Sequence, residues 1–101
     1  MKVIAKIVDF IEDELDGAEN YAKCAIKYKI EYPKFATKLN ELAKVEMTHV
    51  QQLHDEVVRF IEEYRRDKGE PPKEMLAIYN FEHEKQINRS AIIRKMIDDF
   101  Q

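Results

Sequence analysis

The sequence has few of the residues that turn, break or cross-link a chain. Its 101 residues include two glycines, three prolines, one cysteine and no tryptophan. A single cysteine excludes an intrachain disulfide and any site built on a Cys-x-x-Cys pair. No run of about 18 apolar residues is present, and the first segment, MKVIAKIVDFIEDE, becomes acidic too early for a signal peptide. These absences predict a chain of the reducing cytoplasm with no membrane-spanning segment.

Charged residues are abundant but nearly balanced in sign. The chain has 17 basic and 20 acidic residues, which give a net charge of −3. Because no basic stripe stands out, the sequence predicts no nucleic-acid partner. The shortage of turn-forming residues predicts an all-α fold, in one domain over 1–101. A domain of this size buries a limited share of its surface, so we expect a homodimer or a higher homo-oligomer.

Two corners containing proline divide the chain. In IEYPKF, Pro33 disfavours helical geometry in the preceding residue and is suited to open the next helix. In DKGEPPKE, Gly69 is suited to end a helix, and Pro71 and Pro72 restart the chain. The sequence therefore predicts three helices, over roughly 2–31, 33–67 and 71–99. Connections this short make successive helices antiparallel neighbours.

The helical period of about 100° per residue gives the first two helices an apolar stripe. On the first helix the stripe contains Ile4, Ile7, Val8, Ile11, Leu15, Ala18, Ala22, Ala25 and Ile26. On the second it contains Phe35, Leu39, Leu42, Ala43, Val50, Leu53, Val57, Phe60 and Tyr64. Glu46 falls at the centre of the second stripe and His49 at its margin, while Glu14 and Tyr21 lie at the edge of the first. The third helix has apolar residues on several sides, which indicates more than one neighbour.

Polar groups within an apolar stripe need an explanation, because an ionised carboxylate in a core is costly unless it is paired or bound to metal. Counted from the first corner at about 1.5 Å per residue, Glu14, Glu46 and His49 lie at one height. Glu-x-x-His places both side chains on one helix face. One chain thus offers half the ligands of a bundle-core site for two metal ions, and a two-fold dimer supplies the rest. The structural alternative is a buried Glu–His hydrogen bond or salt bridge.

Two stretches resemble the ferritin-like superfamily, which includes rubrerythrins, ferritins and encapsulated ferritins. In DELDGAENYA, Glu14 and Tyr21 match the family's first-helix Glu and the Tyr that follows it, and in KVEMTHVQQL, Glu46 and His49 match its Glu-x-x-His. The resemblance spans roughly residues 3–66 and implies a di-iron centre that reacts with dioxygen or peroxide. This short form lacks the usual fourth helix and second Glu-x-x-His. It is therefore closer to the encapsulated-ferritin arrangement, in which two chains complete one site.

Four further residues are second-tier site candidates. Tyr21 can hydrogen-bond a ligand carboxylate, as the resemblance implies, or pack as a half-buried core tyrosine. In FEHEKQINRS, Glu84 resembles a ligand Glu of the third ferritin helix, although the immediate reversal at DKGEPPKE puts it about 10 Å below Glu46 along the axis. His54 and His83 lie at similar distances from the second corner, so they can approach one another as a second metal site or as surface histidines.

The sequence supports two functions of different classes. One is a metal-binding protein with a di-iron or di-manganese site, which oxidises ferrous iron or reduces peroxide as a ferroxidase or peroxidase; zinc also suits the ligands. No Cys-rich rubredoxin-type segment is present, so electrons for peroxide reduction would come from a separate donor. The other is a non-enzymatic helical adaptor, of phage or mobile-element origin, in which the Glu and His residues are structural or relics.

Overall fold

A computed structural model describes all 101 residues of the chain as three α-helices without strands. The helices are α1 (Lys2–Tyr28), α2 (Pro33–Lys68) and α3 (Lys73–Asp99). The all-α class is confirmed, and two of the three helices end within a residue of their predicted positions. α1 ends at Tyr28 instead of residue 31, because the chain needs several non-helical residues to reverse before Pro33. No helix has the length and apolar character needed to cross a membrane.

The two corners form where the chain contains proline and glycine. Pro33 occupies the first turn of α2, after Tyr32 has left helical geometry with φ −134° and ψ 70°. Gly69 ends α2 with φ 86°, a conformation that residues with a Cβ rarely adopt. Pro72 precedes the first residue of α3 in an extended conformation. Backbone chemistry thus fixes both reversals and the antiparallel order of the helices.

The core lies mainly between α1 and α2, and α3 contacts α1 more extensively than α2. Small residues let the α1 and α2 backbones approach closely, and larger aliphatic side chains fill the space around them. The buried apolar residues are Ile4, Ile7, Ile11, Leu15, Ala18, Ala22, Ala25, Ala36, Leu39, Ala43, Met47, Val50, Val57, Ile61, Ile93 and Ile97. The resulting bundle is elongated, measuring 56 × 18 × 18 Å. One long face of the α1–α2 pair is therefore left without a covering helix.

The buried face of α2 is rotated from the stripe expected from the sequence. Met47 and Asn40 are buried, whereas Phe35 is 52% exposed and Leu42 is only partly buried. The reason is that α2 has apolar residues over an arc wider than a single neighbouring helix covers. Glu46 consequently lies at the edge of the core and not at its centre.

An arginine fixes α3 on the side of α1 opposite Glu14. The Arg89 guanidinium donates to Glu12, Asp16 and Glu19 over distances of 2.6–3.3 Å. Glu12 precedes Glu14 by two residues, which is about 200° around the helix. The side of α1 that presents Glu14 is therefore free of α3.

Candidate metal centre

Glu14 of α1 meets Glu46 and His49 of α2 in one cluster. One potential ligand atom from each residue lies within 4.8 Å of the other two. The His49 Nδ1 atom is 3.3 Å from Glu14 Oε2 and 3.9 Å from Glu46 Oε1. No other group of three or more His, Cys, Asp and Glu side chains in the chain converges in this way. The structure thus brings together the three side chains that the sequence places at one height on the first two helices.

Gly17 creates the space in which the Glu46 carboxylate lies. It follows Glu14 by three residues, on the face of α1 that meets α2. A Cβ atom at position 17 would lie 3.1 Å from Glu46 Oε2 and 3.6 Å from its Cδ. The approach to Oε2 is tighter than nine in ten real Cβ contacts, so a larger residue would require the carboxylate to move by a few tenths of an ångström. A glycine inside a helix lowers helix stability by about 1 kcal/mol relative to alanine. At position 17 the missing side chain lets the Glu46 carboxylate lie against the α1 backbone.

The two carboxylates stand close enough to disfavour a double negative charge. A hydrogen bond with Glu14, burial and repulsion from the Glu14 charge raise the pKa of Glu46 from 4.5 to about 6, while nearby His49 opposes the shift. A proton held by two neighbouring carboxyl groups is one that a bound cation would replace. The local electrostatics therefore favour a positively charged occupant.

The cluster opens to solvent on the side away from α3. The His49 side chain is 43% exposed, against 28% for Glu14 and 24% for Glu46. A shallow cavity of about 350 Å³ begins there and is also lined by Gln52, Leu53 and Glu56. One side of the cluster is thus accessible to an ion, a small molecule or another chain.

Apolar residues extend the cluster's face along both helices in alternating steps of three and four. On α1 they form the series Val3, Ile7, Phe10, Glu14, Gly17, Tyr21, Cys24 and Tyr28. On α2 they form the series Phe35, Leu39, Leu42, Glu46, His49, Leu53, Glu56 and Phe60. We call these two series together the outer seam. Only Ile7 and Leu39 of the seam are buried, and Phe10 is 44% exposed. The spacing is that of helices that pack as coiled coils.

The second-tier candidates lie outside the cluster. Tyr21 is half-buried against the core and hydrogen-bonds none of the three cluster residues. Glu84 is exposed on α3. His54 and His83 do meet, with ring centroids 4.5 Å apart and planes inclined by 9°. Since nitrogen lone pairs lie in the ring plane, two parallel rings cannot point at one ion, and this arrangement does not form a second metal site.

Three features of the site are not among the residues predicted from the sequence, although each can be recognised in the sequence pattern. Gly17 is one of only two glycines and interrupts a long helix three residues after Glu14. Glu56 lines the cavity beside His49 and pairs with Arg59 at 2.6 Å. The outer seam repeats with a period of 3.5 residues, which differs from the single stripe of an ordinary surface helix. Together these signals mark one face of α1 and α2.

The donor atoms of the cluster suit a transition metal. Two carboxylates and one imidazole are ligands for iron, manganese or zinc. Bond lengths near 2.1 Å place ligand atoms at most about 4.2 Å apart, and the distances of 3.3 and 3.9 Å from His49 Nδ1 to the two carboxylates lie within that limit. No family model, curated protein or solved structure matches the chain. What the cluster can do therefore follows from its own residues.

Proposed function

We propose that the protein is a ferritin-like di-iron carboxylate protein that oxidises ferrous iron or reduces peroxide, and that two copies complete its metal centre. The observation that carries the proposal is the convergence of Glu14, Glu46 and His49 from two helices. A structural Glu–His pair needs one carboxylate, whereas the second one adds charge repulsion that a bound cation would relieve. Manganese is the alternative metal of the same chemistry.

The ligand count supports completion by a second chain. A bundle-core di-metal site takes a Glu from each of two helices and a Glu-x-x-His from each of two others. One chain has one of each, so a two-fold axis in front of His49 would supply four carboxylates and two imidazoles. Such an axis brings the same patch of both copies together.

The outer seam supports the same dimer. Its apolar residues flank the cluster on both sides, and seam residues such as Phe10 and Phe35 remain about half exposed in one chain. α3 lies on the opposite side of α1, where Arg89 anchors it. Two α1–α2 pairs can therefore meet through their seams as a four-helix core, with each α3 outside.

Each residue has a defined part in this chemistry. A di-iron centre supplies redox-active ions that pass electrons to dioxygen or peroxide. Glu14 and Glu46 would hold the ions as hard anionic ligands and stabilise the ferric state, and because the pKa of Glu46 is raised to about 6, metal binding should release protons mainly below that pH. His49 contributes a neutral nitrogen ligand at the exposed side, where ferrous iron can enter. A reducing cytoplasm would keep that iron ferrous, and peroxide reduction would draw electrons from a separate donor.

The test is aerobic addition of ferrous iron to the purified chain, followed by oxygen consumption and near-ultraviolet ferric absorption. We expect oxidation faster than in buffer, and strong slowing in Glu14→Gln and His49→Ala. Glu84→Gln, which removes an exposed carboxylate from α3, is the matched control and should behave as wild type. An anaerobic run with peroxide separates the peroxidase from the oxidase. Tight zinc binding without iron oxidation above buffer would instead indicate a structural metal site.

A further inference from the structure

The sparse contact between α2 and α3 leaves a cleft on the side of the bundle away from the metal cluster. The cleft has a volume of about 400 Å³, within the range of about 300–1,000 Å³ usual for small-molecule sites. Gln51 lies on its wall and follows His49 by two residues, about 200° around α2. The cleft is therefore separate from the proposed metal centre and from the outer seam.

The polar lining of the cleft contains no carboxylate. In a chain with 20 acidic residues, its polar side chains are Gln51, His54, His83, Gln86, Ser90 and Arg94. Arg94 is the one arginine of five that forms no salt bridge, since the other four each pair with Asp or Glu. An unpaired guanidinium offers planar donors that match a carboxylate or phosphate. The cleft thus has a positive site with no internal counter-ion.

The rest of the cleft provides a hydroxyl, ring donors and an apolar floor. Ser90 precedes Arg94 by one helical turn on α3, so both side chains face the same side. His54 stacks on His83 across the two helices, and burial followed by the charge of His54 lowers the pKa of His83. A neutral imidazole still has one N–H donor. Ile11 and Val50 form the floor.

We propose that this cleft binds a small organic anion, with its oxyanion head on Arg94 and Ser90 and its apolar body against the floor and the histidine stack. Carboxylates and phosphates share this head chemistry. The adjoining cleft, which Arg94 also lines, contains Asp98, so the head lies in the carboxylate-free part. The proposal goes beyond the metal chemistry and does not depend on it.

The test is a titration of the full chain followed by the ring-proton resonances of its three histidines. The probes are benzoate, phenyl phosphate and inorganic phosphate, with benzyl alcohol as the uncharged analogue. We expect saturable shifts of His54 and His83 with benzoate or phenyl phosphate, and an unmoved His49. Whichever of benzoate and phenyl phosphate binds with higher affinity identifies the preferred anionic group. Inorganic phosphate measures how well the cleft binds an anionic group that has no aromatic ring attached.

Arg94→Gln should weaken binding about tenfold or more, as expected for the loss of a charge-assisted hydrogen bond. Lys95→Gln is the matched control, because it removes the same charge from the neighbouring residue, which pairs with Asp99 outside the cleft. Circular dichroism of both variants verifies folding. Absence of shifts with any anion, equal binding of benzyl alcohol, or equal affinity in Arg94→Gln and Lys95→Gln would overturn the proposal.

Discussion

Replacement of Gly17 by alanine should separate helix stability from the geometry of the cluster. Alanine in a helix interior is more favourable than glycine by about 0.8–1.0 kcal/mol. The new Cβ would lie 3.1 Å from Glu46 Oε2, so the carboxylate has to move by a few tenths of an ångström. The displacement weakens the hydrogen bond between the Glu46 and Glu14 carboxyl groups, and a hydrogen bond of this kind contributes roughly 0.5–1.5 kcal/mol. We therefore expect almost no net change in the stability of the metal-free protein.

The same substitution in a Glu46→Ala background should give the full gain of about 1 kcal/mol, because no carboxylate remains to be displaced. Urea denaturation of the four proteins, at one protein concentration and without metal, gives a coupling free energy of about 1 kcal/mol between positions 17 and 46. Exposed Asn20 on α1 provides the control, since Asn20→Ala should give the same gain in both backgrounds. With metal present, Gly17→Ala should also weaken binding.

Equal stabilisation by Gly17→Ala in the two backgrounds would contradict the proposed contact between position 17 and Glu46. It would mean that Glu46 moves away from the new methyl group at no cost, and that Gly17 does not determine the carboxylate's position. The stability measurement requires no metal and is therefore independent of the proposed chemistry. Unchanged metal affinity together with a positive coupling energy would limit the role of Gly17 to packing.

Three further predictions concern charge and assembly. Because the pKa of Glu46 is raised, the folded chain holds more protons than the unfolded chain between about pH 4.5 and 6. The free energy of unfolding of the metal-free protein should therefore fall by about 1–2 kcal/mol as the pH rises through this range. Glu46→Gln should abolish that pH dependence and raise the melting temperature at pH 7. Leu42→Lys in the outer seam should yield monomers in sedimentation, whereas Phe81→Lys, on the exposed face of α3, should not. Arg89→Ala removes three ion pairs and should lower the free energy of unfolding in urea by about 1 kcal/mol. The loss is small because solvent screens the partly exposed carboxylates that Arg89 contacts. A flat pH profile, monomers in both Lys variants or an unchanged urea midpoint would contradict these expectations in turn.

Much of the fold was predictable because proline, glycine and helical periodicity act locally. Pro33 and Gly69 determine the corners, and the helices between them are as long as the intervening sequence allows. The height of Glu14 relative to Glu46 follows from the corner and the rise per residue. Counting residues from the corner is therefore sufficient to predict that the three cluster residues lie at the same height.

The rotation of α2 was not predictable, because two adjacent faces of the helix are apolar. Which face turns inward depends on how closely the backbones approach, and small residues such as Ala36 and Ala43 decide that distance. Met47 and Asn40 are therefore buried, and Asn40 Nδ2 approaches the Ile97 carbonyl oxygen near the end of α3 at 3.5 Å. The role of Gly17 was not predictable for the same reason. A sequence pattern gives the angular position of a residue around its helix, but it does not give the distance between two helices.

Bound metal and solution mass, measured on the same sample, test whether two chains share one di-iron centre. The chain is titrated with ferrous iron under anaerobic conditions, and analytical ultracentrifugation then gives the mass of the metal-bound species. We predict a dimer that holds two iron ions, with binding lost in Glu14→Gln and His49→Ala and retained in Glu84→Gln. A monomer with full metal occupancy, or a dimer whose metal content is unaffected by Glu14→Gln and His49→Ala, would contradict it.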